Sequence, residues 1–131
     1  MGARIYKSII LGAVFGTFLA VQETPYAGTL GGGLFETKSG VPIVIYGSRG
    51  PCDASEAPDF GEIMDHPEAI SRAPKHGKLS DGGAGSRRIG SCGGRVVVRK
   101  IVYTPNPGFV GIDIVEFFGS DIATIEVLPA D

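Results

Sequence analysis

Tryptophan is absent from this 131-residue chain, which has only two cysteines, two histidines and two methionines. Its single asparagine, Asn106, is followed by Pro107 and Gly108, so no N-glycosylation sequon exists. Neither sign of charge is in excess. Twelve Lys/Arg against fourteen Asp/Glu leave a net charge of −2, which excludes the basic footprint of a nucleic-acid binder. The glycines and arginines of "GGAGSRR", residues 82–88, lack the Walker lysine pattern and its strand–loop–helix setting. No Gly-x-Ser-x-Gly elbow occurs, and no His/Asp arrangement stands at a recognisable spacing from a serine. His66 and His76 do not match the close ligand pairs of zinc sites. The expectation is therefore no catalysis, no cofactor and no metal.

What the chain has in plenty is glycine, at 21 residues, with 9 prolines. That usage favours a turn-rich, all-β domain whose core comes from Val, Ile, Leu and Phe. Arg4 and Lys7 precede the uncharged run Ile9 to Val21, "IILGAVFGTFLAV". A positive flank, a short apolar stretch and a polar continuation form the pattern of an export signal. The run is shorter than the roughly 20 residues of a membrane-spanning helix. Ala27 or Ala20 is the candidate last residue removed; the alternative is an uncleaved anchor touching the membrane through residues 5–21. Export places Cys52 and Cys92 in an oxidising compartment, where an even count in a small domain predicts a disulfide. Closing a loop of about 40 residues would stabilise the fold by roughly 3–4 kcal/mol.

Beyond a signal or anchor at 1–27 and a linker at 28–33, residues 34–131 read as one domain. "LFETKSGVPIVIYG" predicts two short strands about Lys38–Gly40, or one bent strand, and "RVVVRKIVYT" at 95–104 the strongest strand. Residues 48–69 read as a long acidic loop in which "FGEIMDHPEAI" can form a helical turn that Pro67 interrupts. A weak strand follows at 69–73, and "GGAGSRR" reads as a loop tip. "IDIVEFF" at 112–118 and "IATIEVL" at 122–128 pair as a hairpin across "GSD". Val115, Phe117, Ile125 and Val127 then lie on a core face, with Glu116 and Glu126 opposite.

Two elements stand out: "PKHGKL" from Pro74 to Leu79, then "YTPNPGFVGID" from Tyr103 to Asp113. Pro105 and Pro107 stop strand pairing, while Gly108 and Gly111 permit angles barred to other residues. Phe109 can fold back to close the end of the domain, and Asp113 can accept hydrogen bonds from neighbouring backbone N–H groups. A calcium ligand is the other reading of Asp113, but calcium needs six or more oxygens and no acidic cluster surrounds it in sequence. Pro74, His76, Gly77, Tyr103, Pro105, Gly108, Phe109, Gly111 and Asp113 together resemble the signature of bacterial immunoglobulin-like and cadherin-like β-sandwich domains. The likeness covers roughly Ile70 to Pro129. It also extends to small exported single-domain relatives, whose cysteines occupy places like those of Cys52 and Cys92.

The resemblance implies an immunoglobulin-like antiparallel β-sandwich with a structural or protein-binding role in the bacterial cell envelope, periplasmic or secreted. The alternative is an accessory subunit of a membrane complex, anchored in the inner membrane with its domain in the periplasm. A protein partner is expected. The docking candidates are Phe60, Ile63 and Met64, set among Asp53, Glu56, Asp59, Glu62, Asp65 and Glu68.

Overall fold

A computed structural model describes residues 33–131. The signal or anchor at 1–27 and nearly all of the 28–33 linker lie outside the described residues. The described chain runs through strands β1 (Gly33–Lys38) and β2 (Ile43–Arg49), helix α1 (Phe60–Asp65), and strands β3 (Ile70–Arg72), β4 (Gly77–Ile89), β5 (Gly94–Pro105), β6 (Gly111–Phe117) and β7 (Asp121–Leu128). One 3₁₀ turn, Gly90–Cys92, joins β4 to β5. Two sheets result, a four-stranded one in the order β1-β7-β6-β3 and a three-stranded one in the order β2-β5-β4. Every pairing is antiparallel except β1 with β7.

Alternation explains the core. In β6 and β7, Val115, Phe117, Ala123, Ile125 and Val127 are buried, while Ile112, Ile122 and Glu126 on the other face are exposed. Val115 stands opposite Ala123, and Asp113 opposite Ile125, so both strands turn one face inward. Phe35 of β1 joins them, and Ile45, Tyr46, Ile101 and Tyr103 supply the facing sheet. The Tyr46 ring stacks on Phe117 with centroids 4.1 Å apart. Removing such side chains from water contributes about 1.5–3 kcal/mol each. The 118–120 turn is tight, with Ser120 N–H donating to Phe117 O at 3.1 Å. Phe118 takes φ 53° there, a left-handed conformation uncommon for a non-glycine residue.

The "GGAGSRR" segment is not a loop tip. It lies within β4, whose 13 residues pair with β5 from Gly77↔Pro105 to Ile89↔Gly94. Its glycines serve close packing as well as bending. A Cβ on Gly82 would lie 2.7 Å from Val102 Cγ2, whereas Gly83 (φ 87°) sits in the register slip between Asp81 and Ala84. β2 slips against β5 at a neighbouring level, between Val44 and Tyr46. Paired bulges on both sides of one strand bend and twist a sheet. Below the bulges the face of β5 that is buried changes. Ile101 and Tyr103 point to the main core, but Val96 and Val98 are buried on the opposite face together with Ile89.

Candidate functional site

The two ends of β5 carry the polar and covalent features that the sequence singles out. At its C-terminal end Tyr103 finishes inside the sandwich with no exposed surface. The chain then passes Pro105, also buried, turns through 106–110, and re-enters β6 at Gly111. Phe109 N–H donates to Asn106 O at 3.1 Å, and Gly108 N–H to Ser39 Oγ at 2.8 Å. Gly108 and Gly111 hold φ 87° and 140°, which only glycine adopts readily.

Asp113 is the centre of this corner. It is 3 % exposed, and each carboxylate oxygen accepts two hydrogen bonds. Oδ1 receives Lys75 N–H and Ile114 N–H, both at 3.0 Å. Oδ2 receives His76 N–H at 2.8 Å and the Tyr103 hydroxyl at 2.7 Å. One side chain therefore ties the 74–76 turn, the end of β5 and the start of β6 together. Burial alone would raise the Asp113 pKa, but the bonds from Lys75, Tyr103, His76 and Ile114 outweigh it and hold the carboxyl below its ordinary value of 3.8. Tyr103 is pushed above the usual tyrosine range, first by burial and then by its bond to Asp113, so it stays a hydroxyl donor.

The rest of the motif surrounds that hub. Pro74 is half-buried ahead of the turn. His76 O accepts from Asn106 N–H at 2.8 Å, and its ring lies flat on Phe109 at 4.1 Å and 4°. Gly77 is required by contact, since a Cβ there would meet Tyr103 Cε1 at 2.4 Å and Thr104 O at 2.7 Å. The structure thus brings all nine motif residues to one end of the sandwich. The four lone-pair sites of Asp113 are already filled, which removes the calcium reading. Among the described residues no group of three or more His, Cys, Asp or Glu is placed to hold a metal.

At the other end of β5, Cys52 and Cys92 form a disulfide with Cα atoms 5.3 Å apart. It ties the loop after β2 to the β4–β5 turn. Arg99 Nε reinforces the attachment by donating to Pro58 O at 2.7 Å. The bond also takes both thiols out of contention as metal ligands or nucleophiles. It is compatible with an oxidising, exported compartment. Among the described residues no helix is long and apolar enough to cross a membrane.

The docking candidates Phe60, Ile63 and Met64 all lie on α1. Asp59 caps α1 by accepting from Glu62 N–H, and the helix stops before Pro67. Ile63 is buried, and Phe60 and Met64 are half-buried against the main core. The carboxylates of Asp53, Glu56, Asp59, Glu62, Asp65 and Glu68 belong to exposed residues, while Ile63 turns inward and Phe60 and Met64 keep part of their surface open. A helix of this length, placed beside a core that needs cover, turns its apolar side inward.

Sequence reasoning missed one further group. The Tyr46 hydroxyl donates to Asp121 Oδ2 at 3.2 Å, and His66 packs edge-on against half-exposed Phe118 at 5.7 Å. No local motif joins residues so far apart, although the isolated aromatic in the "FFGSD" turn was a usable signal. No protein-family model, curated protein or solved structure matches the chain.

Proposed function

We propose that this chain is an exported immunoglobulin-like β-sandwich of the cadherin-like kind, a non-catalytic module of the bacterial cell envelope that acts by binding another protein. Strand order supports the fold assignment. β2-β5-β4 corresponds to the B-E-D group of an immunoglobulin constant-type domain and β3-β6-β7 to C-F-G, with β1 added beside β7. The disulfide agrees with export.

The observation that carries the functional reading is the saturation of Asp113. The most buried carboxylate among the described residues is the kind of group that catalysis exploits. Here both its oxygens are fully occupied in joining three chain segments, and its pKa is lowered, away from the range of a general acid or base. The motif therefore supplies a rigid scaffold, and what remains for function is the surface it displays. Loops at sandwich ends are the usual place for such contacts. Val41 and Val110, both about half exposed, flank the corner.

Site-specific photo-crosslinking in the native cell tests this. A cross-linker at Val110 or at Glu56 in the acidic segment is expected to trap one discrete species, identified by mass spectrometry. Absence of any adduct from either position would overturn binding through these loops. Sequencing of the mature N-terminus separates an exported chain beginning after Ala20 or Ala27 from one anchored through residues 5–21.

A further inference from the structure

Two cross-strand pairs of like charge lie on opposite sheets of this molecule, and they have opposite signs. In the three-stranded sheet Arg88 of β4 stands directly opposite Arg95 of β5, and both side chains are exposed. In the four-stranded sheet Glu36 of β1 stands directly opposite Glu126 of β7, and both are exposed. Like charges facing each other across a strand pair destabilise a sheet, because the Cβ atoms are only about 5 Å apart. Neither pair is neutralised within the described residues. Neither the ion pair of Lys38 with Asp131 nor that of Arg99 with Asp81 involves these four side chains, and among the described residues the side-chain bonds of Arg95 go to Ser86. A chain that maintains one such pair of each sign holds two surfaces that are complementary to each other.

The acidic surface has a second property. Glu126 is flanked in register by Ile112, 54 % exposed, and the same face carries Ile122 and Leu34, at 48 % and 84 %. Large exposed apolar side chains beside a charge pair give a contact that can exclude water around the ions, which strengthens them. The basic surface lies near the closed end of the β4–β5 hairpin. β4 is a sheet edge, and its bulge at Gly82–Gly83 and its charged side chains blunt ladder extension. A partner there would meet side chains and would not add a strand.

We propose that the partner of this domain is a second copy of the same chain, with Arg88 and Arg95 of one copy seated on Glu36 and Glu126 of the next. Guanidinium–carboxylate pairs are the bidentate, charge-assisted contacts best suited to such a junction. The two surfaces are different, so the contact is heterologous, and copies add head to tail into a ring or an open row. This deepens the reading above and rests on it in one respect, that the chain acts by surface contact.

Sedimentation velocity on the chain as isolated from the cell tests it. At low ionic strength the mean mass is expected to rise with concentration. In about 1 M salt, where the screening length is about 3 Å, it should fall back to the monomer. Glu36→Lys with Glu126→Lys, or Arg88→Glu with Arg95→Glu, should each weaken association at least tenfold while the melting transition stays cooperative. An equimolar mixture of the two reversed chains should associate again. If a reversal perturbs folding, Glu36→Gln with Glu126→Gln replaces it, with a smaller loss expected. A wild-type chain that stays monomeric at every concentration, or association that neither reversal changes, or a mixture that fails to recover, overturns the proposal. A monomeric chain that still yields a foreign adduct at Val110 would overturn self-association alone. A monomeric chain with no adduct would overturn binding through those loops as well.

Discussion

The two ends of β5 are closed by different means. At Pro105 the chain turns around a carboxylate with four donors, and no covalent cross-link is present. At Gly94 a disulfide ties the preceding turn to a loop. The difference follows from what each end has to pack. The corner end has Tyr103, Pro105 and Phe109 to cover it and a buried acceptor to satisfy its turns. The hairpin end includes Gly85, Gly90, Gly93 and Gly94, and its buried Val96, Val98 and Ile89 lie outside the main core. Where side chains are too small to hold a segment, a covalent link stands in for packing.

That contrast can be broken from either end. The largest effect is expected from Cys52→Ser with Cys92→Ser. Losing a cross-link of sequence separation 40 should cost about 4 kcal/mol on the chain-entropy account. Denaturant melts measure it, and hydrogen exchange should show the added opening concentrated at 50–58 and 85–98. Uniform loss of protection would mean that the two ends are not independent.

Asp113→Asn comes next, at about 3 kcal/mol, because an amide nitrogen would face at least one pair of donors that the carboxylate now accepts. Here the loss should be concentrated at 74–76 and 103–113, leaving the hairpin end protected. Tyr103→Phe isolates one spoke of the hub and should cost about 2 kcal/mol, the scale of a hydrogen bond to a charged group. Gly111→Val is expected to cost about 1–3 kcal/mol through strain at φ 140°. A thermal melt unchanged from wild type would mean that the backbone there relaxes more easily than its surroundings suggest.

The same contrast governs how much was legible in the sequence. The corner was readable because its residues are close together in the chain and each is chemically distinctive. Prolines stop strands, glycines allow rare angles, and an aspartate accepts. The 111–128 hairpin was readable because one face is buried and the alternation is clean. The hairpin end was not. "GGAGSRR" has the composition of a loop, and only the partner strand β5 makes it a strand, with Gly82 placed where Val102 leaves no room for a Cβ. The change of buried face between Val98 and Ile101 accompanies two bulges in neighbouring strands, which no single-strand pattern reveals. Phe60, Ile63 and Met64 were found as apolar residues among acids, but the side they turn inward depends on a core assembled from distant segments. The opposed pairs Arg88–Arg95 and Glu36–Glu126 likewise need register, which composition does not supply.

Asp113 is placed as an ionised structural hub, with four donors on its two oxygens. Its carboxyl is held below 3.8, so it binds a proton less readily in the folded chain than in the unfolded one. Its stabilisation is therefore complete above the unfolded pKa and is lost as pH falls through the folded one. Carboxyl-carbon NMR titration of Asp113 in the native chain reads this directly. The expected result is a midpoint below 3.8, with wild-type stability falling steeply at acid pH and Asp113→Asn showing a shallower fall. A midpoint well above 3.8 would contradict the account and would reopen this buried carboxylate as a candidate general acid or base.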